Sequence, residues 1–115
     1  MTRQKFKHKF GAKRTSVKGI KFPSLLEARC YNVLNSMQES GKILFFLRQI
    51  PFDLPGNMKH FVDFLVFREN DILFIEAKGR DLAVGRNKRL QVEDLNNIDI
   101  HVVTNEKQIL ELIND

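Results

Sequence analysis

The sequence is poor in the residues that would make several protein classes. It has one cysteine, no tryptophan and three prolines in 115 residues. A single cysteine, Cys30, excludes an intrachain disulfide framework and a cysteine-rich zinc site, and its place on an apolar helical face makes it an expected core residue. No apolar run approaches the roughly 20 residues that span a bilayer, so no membrane partner is expected. The N-terminus lacks the apolar stretch of a secretory signal, which makes the cytoplasm the expected compartment. Acid is missing from residues 1–21, which carry Arg3, Lys5, Lys7, Lys9, Lys13, Arg14, Lys18 and Lys21.

What is present is a globular composition, 43% hydrophobic and 29% charged, in a length that suits one domain. The net charge of +5 is concentrated in the basic start, since acids outnumber bases over the rest of the chain. The chain therefore divides into a basic arm, residues 1–14, and a near-neutral body, residues 15–115. Such an arm usually meets a polyanion, most often nucleic acid, although a solubilising tail has the same composition. Phe6 and Phe10, interleaved with the charges, suit anchoring to the body or stacking on bases.

Periodicity predicts the elements of the body. Residues 15–22 read as a hairpin around Lys18-Gly19. Ser24 with Glu27 three residues later is a capping-box pattern, and Leu26, Cys30, Val33, Leu34 and Met37 recur at helical spacing, so a helix is expected from Ser24 to Ser40 with Gly41 past its end. Residues 43–52 read as a strand with Pro51 near its end or at an edge. Residues 60–68 and 72–78 read as a hairpin joined by Glu69-Asn70-Asp71. Its apolar residues are expected on both faces, with Phe61, Leu65 and Phe67 on one and Val62, Phe64 and Val66 on the other, as in central strands covered above and below. Helix 86–96, strand 98–104 and a last helix from Thr104 through Ile113 complete the order. The expected fold is α/β, a single domain with a mixed central sheet flanked by helices.

Asp63, Glu76 and Lys78 are charges inside these apolar strands, where an unpaired charge is costly. A two-residue turn at Glu69-Asn70 sets Asp63 opposite Glu76, and one at Asn70-Asp71 sets it opposite Lys78. Both registers place the three on one face, whereas a three-residue loop would shift the parity. Two carboxylates, with the Ala77 carbonyl, suit a hard cation such as Mg²⁺ or Mn²⁺. Such an ion supports phosphodiester chemistry, and a lysine beside it can orient water or stabilise the phosphorane. A salt-bridged cluster at a strand end has the same pattern. Glu27 has two open roles, capping or metal ligand, and His60 either borders the site or is an ordinary structural residue. Arg80, Arg86, Lys88 and Arg89 form either a phosphate-binding face or a solvated one, and with the arm's Lys5, Lys7, Lys9, Lys13 and Arg14 they make up the candidate DNA contacts.

Val62-Asp63, twelve residues, then Glu76-Ala77-Lys78 resembles the motif of the PD-(D/E)xK nuclease superfamily, with Val62 in place of the usual proline. The stretch from His8 to Tyr31, with its Lys-Phe-Gly-Ala-Lys segment and Ser24…Glu27 helix start, is similar to a family of small phage-encoded nucleases in that superfamily. The series Ser24…Glu27, then Val62 to Leu65, Phe74 to Gly79 and Asn97 to Ile100, also resembles phage Holliday-junction resolvases of the endonuclease I type and, more distantly, transposon end-cleaving nucleases. The resemblance implies a restriction-endonuclease-like core in residues 15–115, and a metal held by Asp63, Glu76, Ala77 and Glu27. It makes Lys78 the catalytic lysine, with Asp63, Glu76 and Glu27 completing the catalytic set, and it sets Gln49 at the border of the site, a position that otherwise reads as an ordinary strand residue. It further implies Mg²⁺- or Mn²⁺-dependent cleavage of branched or duplex DNA, with a homodimer for symmetric cutting. The rival expectations are a DNA-binding module that does not cut and an accessory subunit of a larger phage or transposition complex.

Overall fold

The structure, a computed structural model, describes residues 15–17 and 19–114. The expected basic arm, with Lys5, Lys7, Lys9, Lys13 and Arg14, lies outside the described residues. A small antiparallel hairpin opens the described chain, β1 (Thr15–Val17) and β2 (Ile20–Phe22), turning at Gly19 with φ 79°. Helix α1 (Leu25–Glu39) follows. Ser24 caps it by accepting the Glu27 amide at 3.1 Å. The far end closes through left-handed Gly41: its amide donates to Gln38 O at 3.2 Å and the Lys42 amide to Met37 O at 2.9 Å. These are the two bonds of a Schellman close, and they favour a residue without Cβ at position 41.

Strands β3 (Phe45–Leu54), β4 (Met58–Phe67) and β5 (Ile72–Ala77) form an antiparallel meander. Helix α2 (Ala83–Asn96) carries the chain back to β6 (Ile100–Val103), parallel to β5, and α3 (Lys107–Asn114) ends the described chain. The result is one α/β domain with a four-stranded mixed sheet in the order β3-β4-β5-β6. Pro51 sits within β3, and this edge strand tolerates its missing N–H. Helix α2 begins three residues before the sequence suggests, because Leu82 provides no side-chain cap to mark its start. No described helix is long and apolar enough to cross a membrane.

Two cores lie on either side of the sheet. Cys30, Leu34 and Met37 of α1 and Ile109 and Ile113 of α3 pack on Phe64, Val66 and Ile75. Val92 of α2 packs on the other face against Leu54, Val62, Phe74 and Ile100. The expected grouping of Val62 with Phe64 and Val66 is therefore wrong. Val62 faces α2, while Phe64 and Val66 face α1 and α3. β3 makes the same switch: Phe46 joins the α1 side, Ile50 and Phe52 the α2 side. Strict alternation fails in both strands at one place. There Gln49 takes φ 53°, and the ladder runs from Arg48↔Phe64 to Ile50↔Val62 without a Gln49↔Asp63 pair. Because the register is the same on both sides, the break is local, and it frees Gln49 and Asp63 from the ladder.

Candidate active site

The β4–β5 hairpin adopts the register set by a turn at Glu69-Asn70, with Phe64↔Ile75 to Phe67↔Ile72 paired. Extended by one step, this register sets Asp63 opposite Glu76. Pairing stops there. Instead of a ladder carbonyl, Asp63 Oδ2 accepts the Ala77 amide at 2.9 Å. Asp63 Oδ1 lies 3.3 Å from Gln49 Nε2, which also donates to Glu27 Oε2 at 3.0 Å. One amide thus joins a carboxylate of α1 to a carboxylate of β4. The left-handed backbone of Gln49 keeps this side chain on the α1 side while the following Ile50 turns to the α2 side.

Glu27 carries half of a capping box. Its amide bonds Ser24, but its carboxylate reaches across to β3, where Arg48 Nη2 donates at 3.1 Å. The Arg48 guanidinium lies 4.2 Å from the centre of the buried Phe22 ring, so β2 supplies the platform that aims Arg48. The residues Arg48 and Gln49 interrupt an otherwise apolar run. The argument that singles out Asp63, a charge in an apolar strand needing a partner, applies equally to Arg48 and would have found it.

A cleft of about 530 Å³ opens over these groups, lined among others by Ser24, Glu27, Gln49, His60, Asp63 and Lys78. Ala77 and Lys88 also reach its wall. Glu76 does not. It is fully buried, with Oε2 bonded to His60 Nε2 and Oε1 3.9 Å from Arg89 Nη1. The expectation of Asp63, Glu76 and Lys78 on one face is corrected on this point: the register is one of the two expected, but the strands part at Asp63 and the Glu76 side chain is taken by His60 and faces Arg89 of α2. His60, expected at the border of the site, is in this network. Arg89 is not a free phosphate contact either, since it is buried and bound in bidentate fashion to Asp81 at 2.8 Å on both nitrogens. Arg80 and Arg86 are exposed, and Lys88 is half-buried at the cleft. Cys30 is in the core, where burial pushes its thiol up to about 12.

Three carboxylates are held above their ordinary range. Burial is the main cause for Glu27, with the Asp63 charge second. Burial also raises Asp63, against the Ala77 amide and the Lys78 charge. It raises Glu76 against the bond to His60. In all three, burial outweighs the neighbouring Arg48, Lys78 and His60, which favour the charged form. No group of three or more His, Cys, Asp or Glu side chains stands at metal-binding spacing among the described residues. No family model, curated protein sequence or solved structure matches the chain.

Proposed function

We propose that the protein is a metal-dependent endodeoxyribonuclease with a restriction-endonuclease-like core, of the PD-(D/E)xK type. One observation carries the reading: Glu27 of α1 and Asp63 of β4 converge on a single amide, in a cleft that also holds Lys78. These side chains are separated by 36 and by 15 positions in the chain, and the break in strand pairing frees Asp63 and Gln49 from the ladder to meet Glu27.

The residues fit a hard divalent cation. Mg²⁺ is commonly held by one or two carboxylates and completes its shell with water and phosphate, so a three-residue cage is not required. Glu27 and Asp63 would hold it, with the Ala77 carbonyl beside them. Glu76 retains a buried oxygen, Oε1, without a hydrogen bond. When bound, the ion supplies Lewis-acid stabilisation of phosphate charge and a more acidic water. The chain's own residues do the rest. Lys78, on the cleft wall and facing the Asp63 charge, balances negative charge developing on the phosphate and orients the attacking water. Lys88 holds the backbone by a phosphate contact. Gln49 and Arg48 keep Glu27 in place, and His60 and Arg89 keep Glu76 in place. Branched DNA as substrate, a homodimer and a cytoplasmic setting belong to this reading through the family resemblance.

Glu27 is engaged by Arg48 and Gln49, and Glu76 by His60 with Arg89 beside it, and these internal partners favour, as a second reading, a DNA-binding module that does not cut alone. Incubation of the full chain with duplex, single-stranded, flap and four-way-junction DNA separates the two. Cleavage in Mg²⁺ or Mn²⁺ that stops in EDTA and with Asp63→Ala, while DNA binding persists, is the expected result. Binding without cutting in any divalent ion would establish the second reading, and undiminished cleavage in excess EDTA would remove the metal from the mechanism.

A further inference from the structure

Beside the acidic floor of the cleft stands an aromatic ring that neither core uses. Phe61 lies on β4 two residues before Asp63, lines the same cleft and is 47% exposed. Its register partner on β3 is Pro51, also exposed. Pro23 and Ser24, just before α1, line the same cleft. The wall around it is basic. Lys59, Lys78 and Lys88 line it. Lys59 is paired with Asp53 at 2.9 Å, whereas Lys78 and Lys88 have no ion pair among the described residues.

We infer that this cleft receives a nucleotide lifted out of the helical stack, with its base against the Phe61 ring and the neighbouring phosphates held by Lys78 and Lys88. The inference rests on the nucleic-acid reading above and adds a substrate class to it: DNA with an unpaired nucleotide, as in a single strand or at a branch point, in preference to intact duplex. Three features support it. Cations on the wall match a polyanion, and an exposed ring among them matches its bases, whose π-faces stack on aromatic side chains irrespective of sequence. Phe61 and Asp63 both line the cleft, and their backbone positions two apart on β4 are separated by roughly 7 Å, about the length of one extended nucleotide. A phosphodiester at Asp63 thereby leaves the adjoining base level with Phe61. Closed duplex offers this ring only its sugar–phosphate edge, because its bases are occupied by their own stack.

The chain has no tryptophan, so Phe61→Trp places a single reporter at the position in question. Binding is measured with the full chain in EDTA, where cleavage does not interfere. Single-stranded and forked DNA should quench the Phe61→Trp emission, and blunt duplex should not. Phe61→Ala should weaken binding to single-stranded and forked DNA about tenfold, leave duplex binding within about twofold, and leave the melting temperature unchanged, as expected of an exposed stacking residue. Phe45→Ala, an equally exposed ring outside the cleft, should change neither. Equal losses on all DNA forms, or no loss on any, would overturn the inference while leaving the nucleic-acid reading intact. If the wild-type chain binds no DNA, that reading itself fails and this one with it.

Discussion

Ser24 and Glu27 divide one sequence signature between two tasks. The Ser24 hydroxyl caps the helix through the Glu27 amide, while the Glu27 carboxylate serves the cleft. Ser24→Ala should cost about 1 kcal/mol of stability and leave cleavage near wild type. Glu27→Gln keeps the capping amide and should reduce cleavage by orders of magnitude. Its stability effect has a definite sign. Burial, followed by the Asp63 charge, holds the Glu27 carboxyl above its ordinary range. The folded protein thus binds this proton more tightly than the unfolded chain, and stability falls as pH rises from the ordinary carboxylate range through the raised folded value. Glu27→Gln removes that penalty. In EDTA the variant should melt above wild type at neutral pH, with the difference shrinking toward acid pH, and thermal melts across pH check this. Gln49 gives a second residue-scale prediction. A left-handed conformation costs a non-glycine residue about 1–2 kcal/mol. Gln49→Gly removes both the strain and the bridge between carboxylates, whereas Gln49→Ala removes only the bridge. Denaturant titration should find the glycine variant more stable by about 1 kcal/mol, the reverse of the usual order within a strand, and both should lose activity.

At the scale of elements, α2 and β5 are tied together by a charge network rather than by apolar packing alone. Arg89 of α2 holds Asp81 in the loop before it and faces the fully buried Glu76 of β5. Removing one member of such a buried set leaves the other uncompensated. Arg89→Ala should therefore cost about 3 kcal/mol in urea unfolding. Arg86→Ala, on the exposed side of the same helix, should leave stability unchanged and weaken DNA binding modestly. If Arg89→Ala weakened DNA binding at full stability, Arg89 would be a phosphate contact after all. The β3–β4 hairpin shows a different dependence between elements. Its two strands switch faces together, which lets one hairpin bury its lower half under α1 and α3 and its upper half under α2.

For the whole molecule, the charge distribution gives the prediction. Residues 1–14 carry six bases, Arg3, Lys5, Lys7, Lys9, Lys13 and Arg14, and no acid. If half of them touch phosphates, deleting the segment should flatten the slope of log affinity against log salt by roughly 3 units on duplex DNA. Among the described residues, both cores close without the arm, so the deletion should still fold cooperatively. Binding across a salt series, with thermal melts of the same protein, distinguishes a tether from a structural segment.

The sequence by itself determined the order of elements and the α1 boundaries within a residue at each end, and it narrowed a two-residue β4–β5 turn to two registers, of which the fold adopts the one at Glu69-Asn70. Each of these is local: a cap, a period or a turn decides it within a few positions. It also marked Asp63, Glu76, Lys78 and Glu27, because charges in apolar strands and a glutamate at a helix start stand out without knowledge of the fold. Tertiary structure alone decided where those side chains go. The switch at Gln49 and Asp63 breaks the alternation from which faces are read, and nothing in a glutamine's identity signals a left-handed backbone. Whether Glu76 or Asp63 reaches the cleft, and whether Arg89 is a DNA contact or a buried counter-ion, depends on which helix lies over which half of the sheet. That is settled by packing between segments distant in sequence, where periodicity carries no information.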